Sequence, residues 1–218
     1  MIITIGAEKG GVAKSRLATH IAALAVAQDV DAVLLDTDAQ GSSTSWSRIR
    51  NDEGVTPPIN VLTLPPNPVR ELANLASRYE LVVVDIGAQN YRTMQECALL
   101  SDLVLVPCGP DQQEVESTLN VFATLKAMGP RHEKGEIPAH VVLTRVASAP
   151  SAKATSELRD YFQNEGISVF EAAVAYRTAW LQSGKTGRTV CELKGKDRSQ
   201  KAVDEIEAVY AEILKRIQ

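Results

Sequence analysis

Lys9-Gly10-Gly11-Val12-Ala13-Lys14-Ser15 sets two lysines, two adjacent glycines and a serine between an apolar run, Ile2 to Ile5, and an apolar helical segment beginning near Lys14. These residue types at this spacing suit a phosphate. Adjacent glycines let backbone N–H groups turn toward an anion, and a helix N-terminus adds partial positive charge. A lysine at position 14 can reach terminal phosphates, and the Ser15 hydroxyl can ligate Mg²⁺. The run departs from the usual P-loop, because Glu8 and Ala13 occupy the two expected glycine positions and an extra lysine, Lys9, stands at the start.

Three further signals lie at the ends of apolar runs. Ala32 to Leu35 leads into Asp36-Thr37-Asp38-Ala39-Gln40-Gly41, Leu81 to Val84 ends in Asp85, and Val141-Val142-Leu143-Thr144 ends in Arg145. An aspartate after a buried strand is common. Several such groups in series fit an open α/β sheet, whose phosphate and metal sites gather at the carboxyl ends of strands.

The elements that must hold these groups follow from periodicity. Leu17, Ile21, Leu24 and Ala25 recur at helical spacing after the loop, and Val115, Leu119, Phe122 and Leu125 do so after Leu103 to Val106. Continuous apolar strands such as Val82-Val83-Val84 and Val104-Leu105-Val106 predict burial on both faces, as in a parallel sheet covered by helices. The expected architecture is doubly wound α/β, mostly parallel, with helices on both faces. A last helix, about Lys201 to Ile217, places Val203, Ile206, Tyr210, Ile213, Leu214 and Ile217 on one stripe for packing onto the sheet. Pro57, Pro58, Pro65, Pro66 and Pro68 flank a short strand within Ile59 to Leu64.

Composition narrows the class. With 218 residues, 44% of them hydrophobic, and no Gly/Ser/Pro linker, one domain over residues 1–218 is expected. The net charge of -4 argues against a chain that coats nucleic acid over its whole surface and leaves room for a local basic patch. Cys97, Cys108 and Cys191 form no CxxC pair, so neither a zinc site nor a disulfide framework is expected, and a reducing cytoplasm fits. No apolar run approaches membrane-spanning length, and no basic leader precedes the first strand.

The order Lys-Gly-Gly-x-x-Lys-Ser resembles the deviant Walker A motif of the ParA/MinD family of P-loop ATPases. Asp36 to Gly41 is similar to that family's Asp-x-Asp-Pro-Gln-Gly segment with Ala39 for proline, and Asp85 to its Walker B aspartate. Ser101 to Pro107 and Val141 to Arg145 also resemble family strands in family order, so the likeness spans nearly the whole chain. The chain starts at its first strand, which matches the small ParF-like members and not those with an N-terminal helix-turn-helix. The mixed charge of the last helix differs from the basic membrane helix of MinD-like members, and Cys97 and Cys108 lack the contexts of the nitrogenase iron protein.

The resemblance implies ATP and Mg²⁺ as ligands and assigns roles. Lys9, Gly10, Gly11, Val12, Ala13, Lys14, Ser15 and Arg16 would hold the nucleotide, with Lys14 on the β- and γ-phosphates. Ser15 would ligate Mg²⁺ while Asp36 and Asp85 hold its waters, and Asp38 would orient the attacking water. Lys9 would reach the nucleotide of a second copy in an ATP-sandwiched homodimer, where its charge stabilises phosphoryl transfer. Arg145 either approaches the adenine or makes a surface salt bridge. Ala13, Arg16 where relatives carry a second threonine, and Ile86-Gly87-Ala88-Gln89-Asn90 after Asp85 depart from the family pattern and bear on turnover.

The small ParA members bind non-specific DNA through basic residues of the C-terminal half. Here Arg177, Lys185, Arg188, Lys194, Lys196, Arg198 and Lys201 stand against only Glu192 and Asp197 over that segment, a concentration that suits phosphate contacts. The implied function is ATP-dependent segregation of plasmid or chromosomal DNA in the nucleoid-containing cytoplasm, with a ParB- or ParG-like centromere-binding partner and no membrane. Two other readings stay open. One is a positioning ATPase for a protein cargo, the other a nucleotide-binding scaffold without hydrolysis.

Overall fold

The computed structural model describes residues 1–63, 68–88, 90–148 and 153–217. Seven strands, β1 (Ile2–Ile5), β2 (Ala32–Asp36), β3 (Asn60–Thr63), β4 (Leu81–Asp85), β5 (Leu103–Cys108), β6 (Ala139–Val146) and β7 (Val169–Ala175), form one sheet in the order β3-β2-β4-β1-β5-β6-β7. Every pairing is parallel. Among the described residues eight α-helices connect or follow them: α1 (Lys14–Val26), α2 (Ser42–Asp52), α3 (Pro68–Ala76), α4 (Tyr91–Ala98), α5 (Gln112–Met128), α6 (Lys153–Asn164), α7 (Thr178–Lys185) and α8 (Gln200–Arg216).

The continuous apolar strands are buried on both faces because successive side chains point to opposite sides of the pleat. Ile3, Ile5, Leu34, Val83, Leu103 and Leu105 pack against Leu17 and Ile21 of α1, Trp46 of α2, Trp180 of α7 and Ile206 and Ile213 of α8. Ile2, Val33, Leu35, Val82, Val84, Val104 and Val106 face the other way, onto Leu72 of α3, Met94 of α4 and Val121 and Leu125 of α5. The doubly wound architecture is the expected one. The α8 stripe packs inward as read, with Val203, Ile206, Tyr210 and Ile213 buried and Leu214 and Ile217 partly so. Cys97 and Cys108 are both buried.

Two details differ from the expectation. The face of α5 turned to the core is Ser117, Thr118, Val121 and Leu125, so Val115, Leu119 and Phe122 are only partly covered. Strand β7 and helix α6 extend the sheet past the last motif strand. Leu64, Pro65, Pro66 and Gln89 lie outside the described residues. No described helix is long and apolar enough to cross a membrane.

Candidate functional site

Register brings the motif groups together. Ile5, where the phosphate loop leaves β1, pairs with Asp85 of β4, and Asp85 pairs with Asp36 of β2 on its other side. Three chain segments far apart in sequence therefore end side by side at one sheet edge, the place where open α/β sheets bind ligands.

The loop is fixed from both sides. Thr144 at the end of β6 donates its hydroxyl to the Val12 carbonyl at 3.1 Å, and Ser117 of α5 donates to the Glu8 carboxylate at 2.9 Å. The second contact gives Glu8 a structural reason to stand where a glycine is usual. Lys14, 7 % exposed, donates its ammonium to the Lys9 carbonyl at 2.7 Å. Burial lowers its pKa, while the charges of Asp85 and Asp38 work to raise it. Lys9 itself points outward, with Nζ 3.3 Å from the amide oxygen of Gln113.

Ala13 adopts φ 73° and ψ 22° ahead of α1 and makes no side-chain cap. A Cβ in the left-handed region is strained, so the glycine of the ordinary pattern is missing where the backbone still asks for it. Ala13→Gly is expected to raise the unfolding free energy by about 0.5–1 kcal/mol, the relief of strain exceeding the added freedom of the unfolded chain. Urea denaturation of the two proteins without nucleotide measures it, and an unchanged or lower midpoint would show that the loop conformation carries no strain.

The two buried aspartates serve differently. Both oxygens of Asp36 are engaged: Oδ1 accepts from the Asp38 N–H at 3.0 Å, and Oδ2 accepts from the Thr44 N–H at 2.8 Å and the Thr44 hydroxyl at 2.9 Å. Asp36 thus holds the first turn of α2. Asp85 accepts from the Ser43 hydroxyl through Oδ2 at 2.7 Å, but its buried Oδ1 has no hydrogen-bond partner among the described residues. Burial pushes the Asp85 carboxyl up to about 6, against the pull of the Ser15 and Ser43 hydroxyls and of Lys14. The Ser15 hydroxyl is thus close enough to favour the ionised form without completing a bond to Oδ1. Asp38 accepts from the Gln40 N–H at 2.9 Å and packs against Gly87, where a Cβ would come within 3.0 Å of its backbone.

A cavity of about 600 Å³ runs from Gly10, Gly11, Ala13, Lys14 and Ser15 to an aromatic wall made by Trp46 of α2, Tyr176 after β7 and Trp180 of α7. Asp38, Arg16 and Arg145 also border it. A phosphate end and an aromatic end in one cleft suit a nucleotide. The sequence reading did not find Ser43, Thr44, Trp46, Tyr176 or Trp180, although the hydroxyl run after Gly41 was a visible signal for the first two.

Arg145 makes an ion pair with Glu114 and also lines the cavity. Its φ of 54° falls where the β6 to β7 register shifts, a bulge that re-aims the side chain. The basic segment is divided. Arg177 is held by the Glu205 carboxylate, with Nη2 at 2.5 Å, and lines the cavity. Lys185, Lys194, Lys196, Arg198 and Lys201 are exposed, and Arg188 is partly covered. Among the described residues no group of three or more His, Cys, Asp or Glu side chains forms an all-protein metal cage.

Comparison with known proteins agrees with this fold. The chain is 22% identical to the protein ParA of Rhizobium radiobacter, over 99% of its own length and 97% of that protein's. Its fold matches a plasmid partition protein of Borrelia burgdorferi B31 solved with AMPPNP, with a TM-score of 0.72 and 19% identity over 99% of both chains. It matches the MinD cell division protein of Aquifex aeolicus equally well, with a TM-score of 0.72 and 16% identity over 98% of this chain and 97% of that one. Residues 3–190 match the CobQ/CobB/MinD/ParA nucleotide binding domain, and the chain belongs to that family.

Proposed function

We propose that the protein is a slow, Mg²⁺-dependent ATPase that dimerises around ATP, binds DNA without sequence preference and, with a centromere-binding partner, partitions plasmid or chromosomal DNA. The observation that carries this reading is the division of labour between the two lysines. Lys14 is buried under the loop and faces the carboxylates, whereas Lys9 is exposed beside it, its ammonium free to leave Gln113 for the nucleotide of a second copy.

Magnesium fits the residues present. The unpartnered Asp85 Oδ1, the Ser15 hydroxyl and the neighbouring Asp36 offer the few hard oxygens that a largely hydrated ion needs. When bound, the ion would neutralise charge on the phosphate oxygens. Asp38, beside the cavity, orients the attacking water, and Lys14 steadies the charge that develops on the transferred phosphoryl group. Gly10, Gly11, Val12, Ala13 and Arg16 complete the nucleotide contacts. For DNA, the patch rests on Lys185, Arg188, Lys194, Lys196, Arg198 and Lys201, because Glu205 neutralises Arg177. Dimerisation would double the patch, raising affinity and salt dependence together.

Light scattering without nucleotide, with ADP and with ATP plus Mg²⁺ tests the switch. The expected result is a dimer seen only with ATP, absent in Lys9→Ala and longer lived in Asp38→Ala. Retention of non-specific DNA should then require ATP and weaken steeply with salt. An oligomeric state indifferent to nucleotide in all samples would sink the ATPase switch and leave a scaffold. A switch without DNA retention would sink the DNA output, whereas a positioning ATPase with a protein cargo would share both the switch and the DNA patch and differ in its partner.

A further inference from the structure

Asp38 borders two cavities. One is the cleft that runs back to Lys14, and the other is a smaller chamber of about 180 Å³ lined by Asp38, Ala39, Gln40, Ala88 and Asn90, with room for several water molecules. A carboxylate at the wall between the two can address water only if its loop is held. Pairing of β2 with its neighbours ends at Asp36, and beyond it the Asp38 loop is stitched to the loop that leaves β4. Among the described residues each stitch passes through Thr37. Its N–H and its hydroxyl both donate to the Asp85 carbonyl at 3.0 Å, the hydroxyl accepts from the Gly87 N–H at 3.1 Å, and its carbonyl accepts from the Asn90 side-chain amide.

Asn90 is the unusual member. It stands at the N-cap of α4, where an asparagine side chain ordinarily accepts from the first turn, yet it makes no cap bond and reaches across to Thr37 instead. A helix start left uncapped in this way gives up stability that α4 itself does not recover. Neither Thr37 nor Asn90 lines the large cavity, so neither helps to hold a nucleotide there.

We infer that Thr37 and Asn90 are positioning residues for the hydrolytic step. By tying the Asp38 loop to the loop after Asp85, they hold the Asp38 carboxylate at the wall between cleft and chamber, so that turnover depends on them and nucleotide binding does not. The inference rests on the ATPase reading and deepens it by naming what aims Asp38. A carboxylate displaced by about 1 Å loses its hold on a water that must attack in line, at a loss on the order of a hundredfold in rate.

The test is steady-state ATP hydrolysis with Mg²⁺ by the full chain and its Asn90→Leu, Thr37→Val and Thr37→Ser variants. Affinity for a non-hydrolysable ATP analogue is measured by calorimetry on the same proteins. Asn90→Leu and Thr37→Val should lower kcat about ten- to a hundredfold and leave analogue affinity within about twofold of the parent. Thr37→Ser keeps the hydroxyl and should recover most of the rate that Thr37→Val loses. Because both residues act through Asp38, Asn90→Leu added to Asp38→Ala should lower the residual rate no further. Unchanged kcat in Asn90→Leu and Thr37→Val, a parallel loss of kcat and analogue affinity, or a further drop in the Asp38→Ala background would each overturn the positioning role while leaving the ATPase reading intact. A parent protein that hydrolyses no ATP would overturn both.

Discussion

Arg50→Met should lower the unfolding free energy by about 3–5 kcal/mol, a large share of a typical domain's stability. Arg50 is 0 % exposed, and the fork uses all five of its N–H groups. Nε and Nη2 donate to the Pro57 carbonyl at 3.1 and 2.8 Å, Nη1 to the Gly187 carbonyl at 3.0 Å, and the two terminal nitrogens to Glu192 at 2.9 and 2.6 Å. Removing the guanidinium strands a carboxylate and two carbonyls. Burial pushes the Glu192 carboxyl up, but the bonds and charge of Arg50 and the bonds from Thr189 outweigh it and leave it lowered, so removing Arg50 leaves only Thr189 to oppose that burial. Arg50→Met with Glu192→Gln should therefore recover part of the loss. Gly187→Ala offers an independent check on the same packing, since at φ 62° its Cβ would lie 2.2 Å from the backbone nitrogen of Arg50. Denaturant midpoints of the four proteins measure these effects. If Arg50→Met and Gly187→Ala both fell within about 1 kcal/mol of the parent, the clamp would not be holding the segment.

The second large effect concerns acid. His20 is fully buried, and the only assignment that serves both its neighbours puts the proton on Nδ1. That nitrogen donates to the Arg16 carbonyl at 2.7 Å, and Nε2 accepts from the Val190 N–H at 2.9 Å. Protonating Nε2 would set two donors against each other. Burial holds the His20 pKa down to about 4 from 6.5, the Glu192 charge working to raise it and those of Arg16 and Arg50 to lower it. With the folded value depressed, the stability from neutral His20 is present above pH 6.5 and is lost as pH falls toward 4. The loss amounts to about 3 kcal/mol. Asp85 acts in the opposite sense over an overlapping window, since its carboxyl, raised to about 6, regains stability when protonated. Comparison with His20→Gln isolates the histidine. Without nucleotide or Mg²⁺, the difference in unfolding free energy between parent and variant should shrink by about 3 kcal/mol from pH 7 to pH 4. A constant difference would mean that His20 is not held neutral.

Both predictions concern residues that the sequence left unmarked, and the reason is physical. Signals that were legible are local. Gly10-Gly11 before an apolar helix, Asp36 and Asp85 at strand ends, and apolar runs without alternation each express a backbone or burial requirement within a few residues. They placed β1, β2, β4, β5 and β6 and the start of α1 correctly because parallel strands and helix starts are built from such short-range demands. The start of α2 was half visible: the hydroxyls of Ser43 and Thr44 stand in the sequence, but not their choice of Asp85 and Asp36.

By itself the sequence determined the sheet type and the order in which the lysine, serine and aspartates stand at its strand ends. Only the tertiary structure decided which charges are answered and which are left open. Arg50 and Glu192 stand 142 residues apart, His20 and Val190 170 apart, and either arginine or histidine alone would read as an ordinary surface residue of its helix. The same packing paired Arg177 with Glu205 and left the Arg16 side chain without a partner among the described residues, a distinction that neither the type nor the spacing of those residues could carry. Helical and strand periods act over a few residues, whereas the pairing of a buried charge depends on how whole helices pack across the sheet.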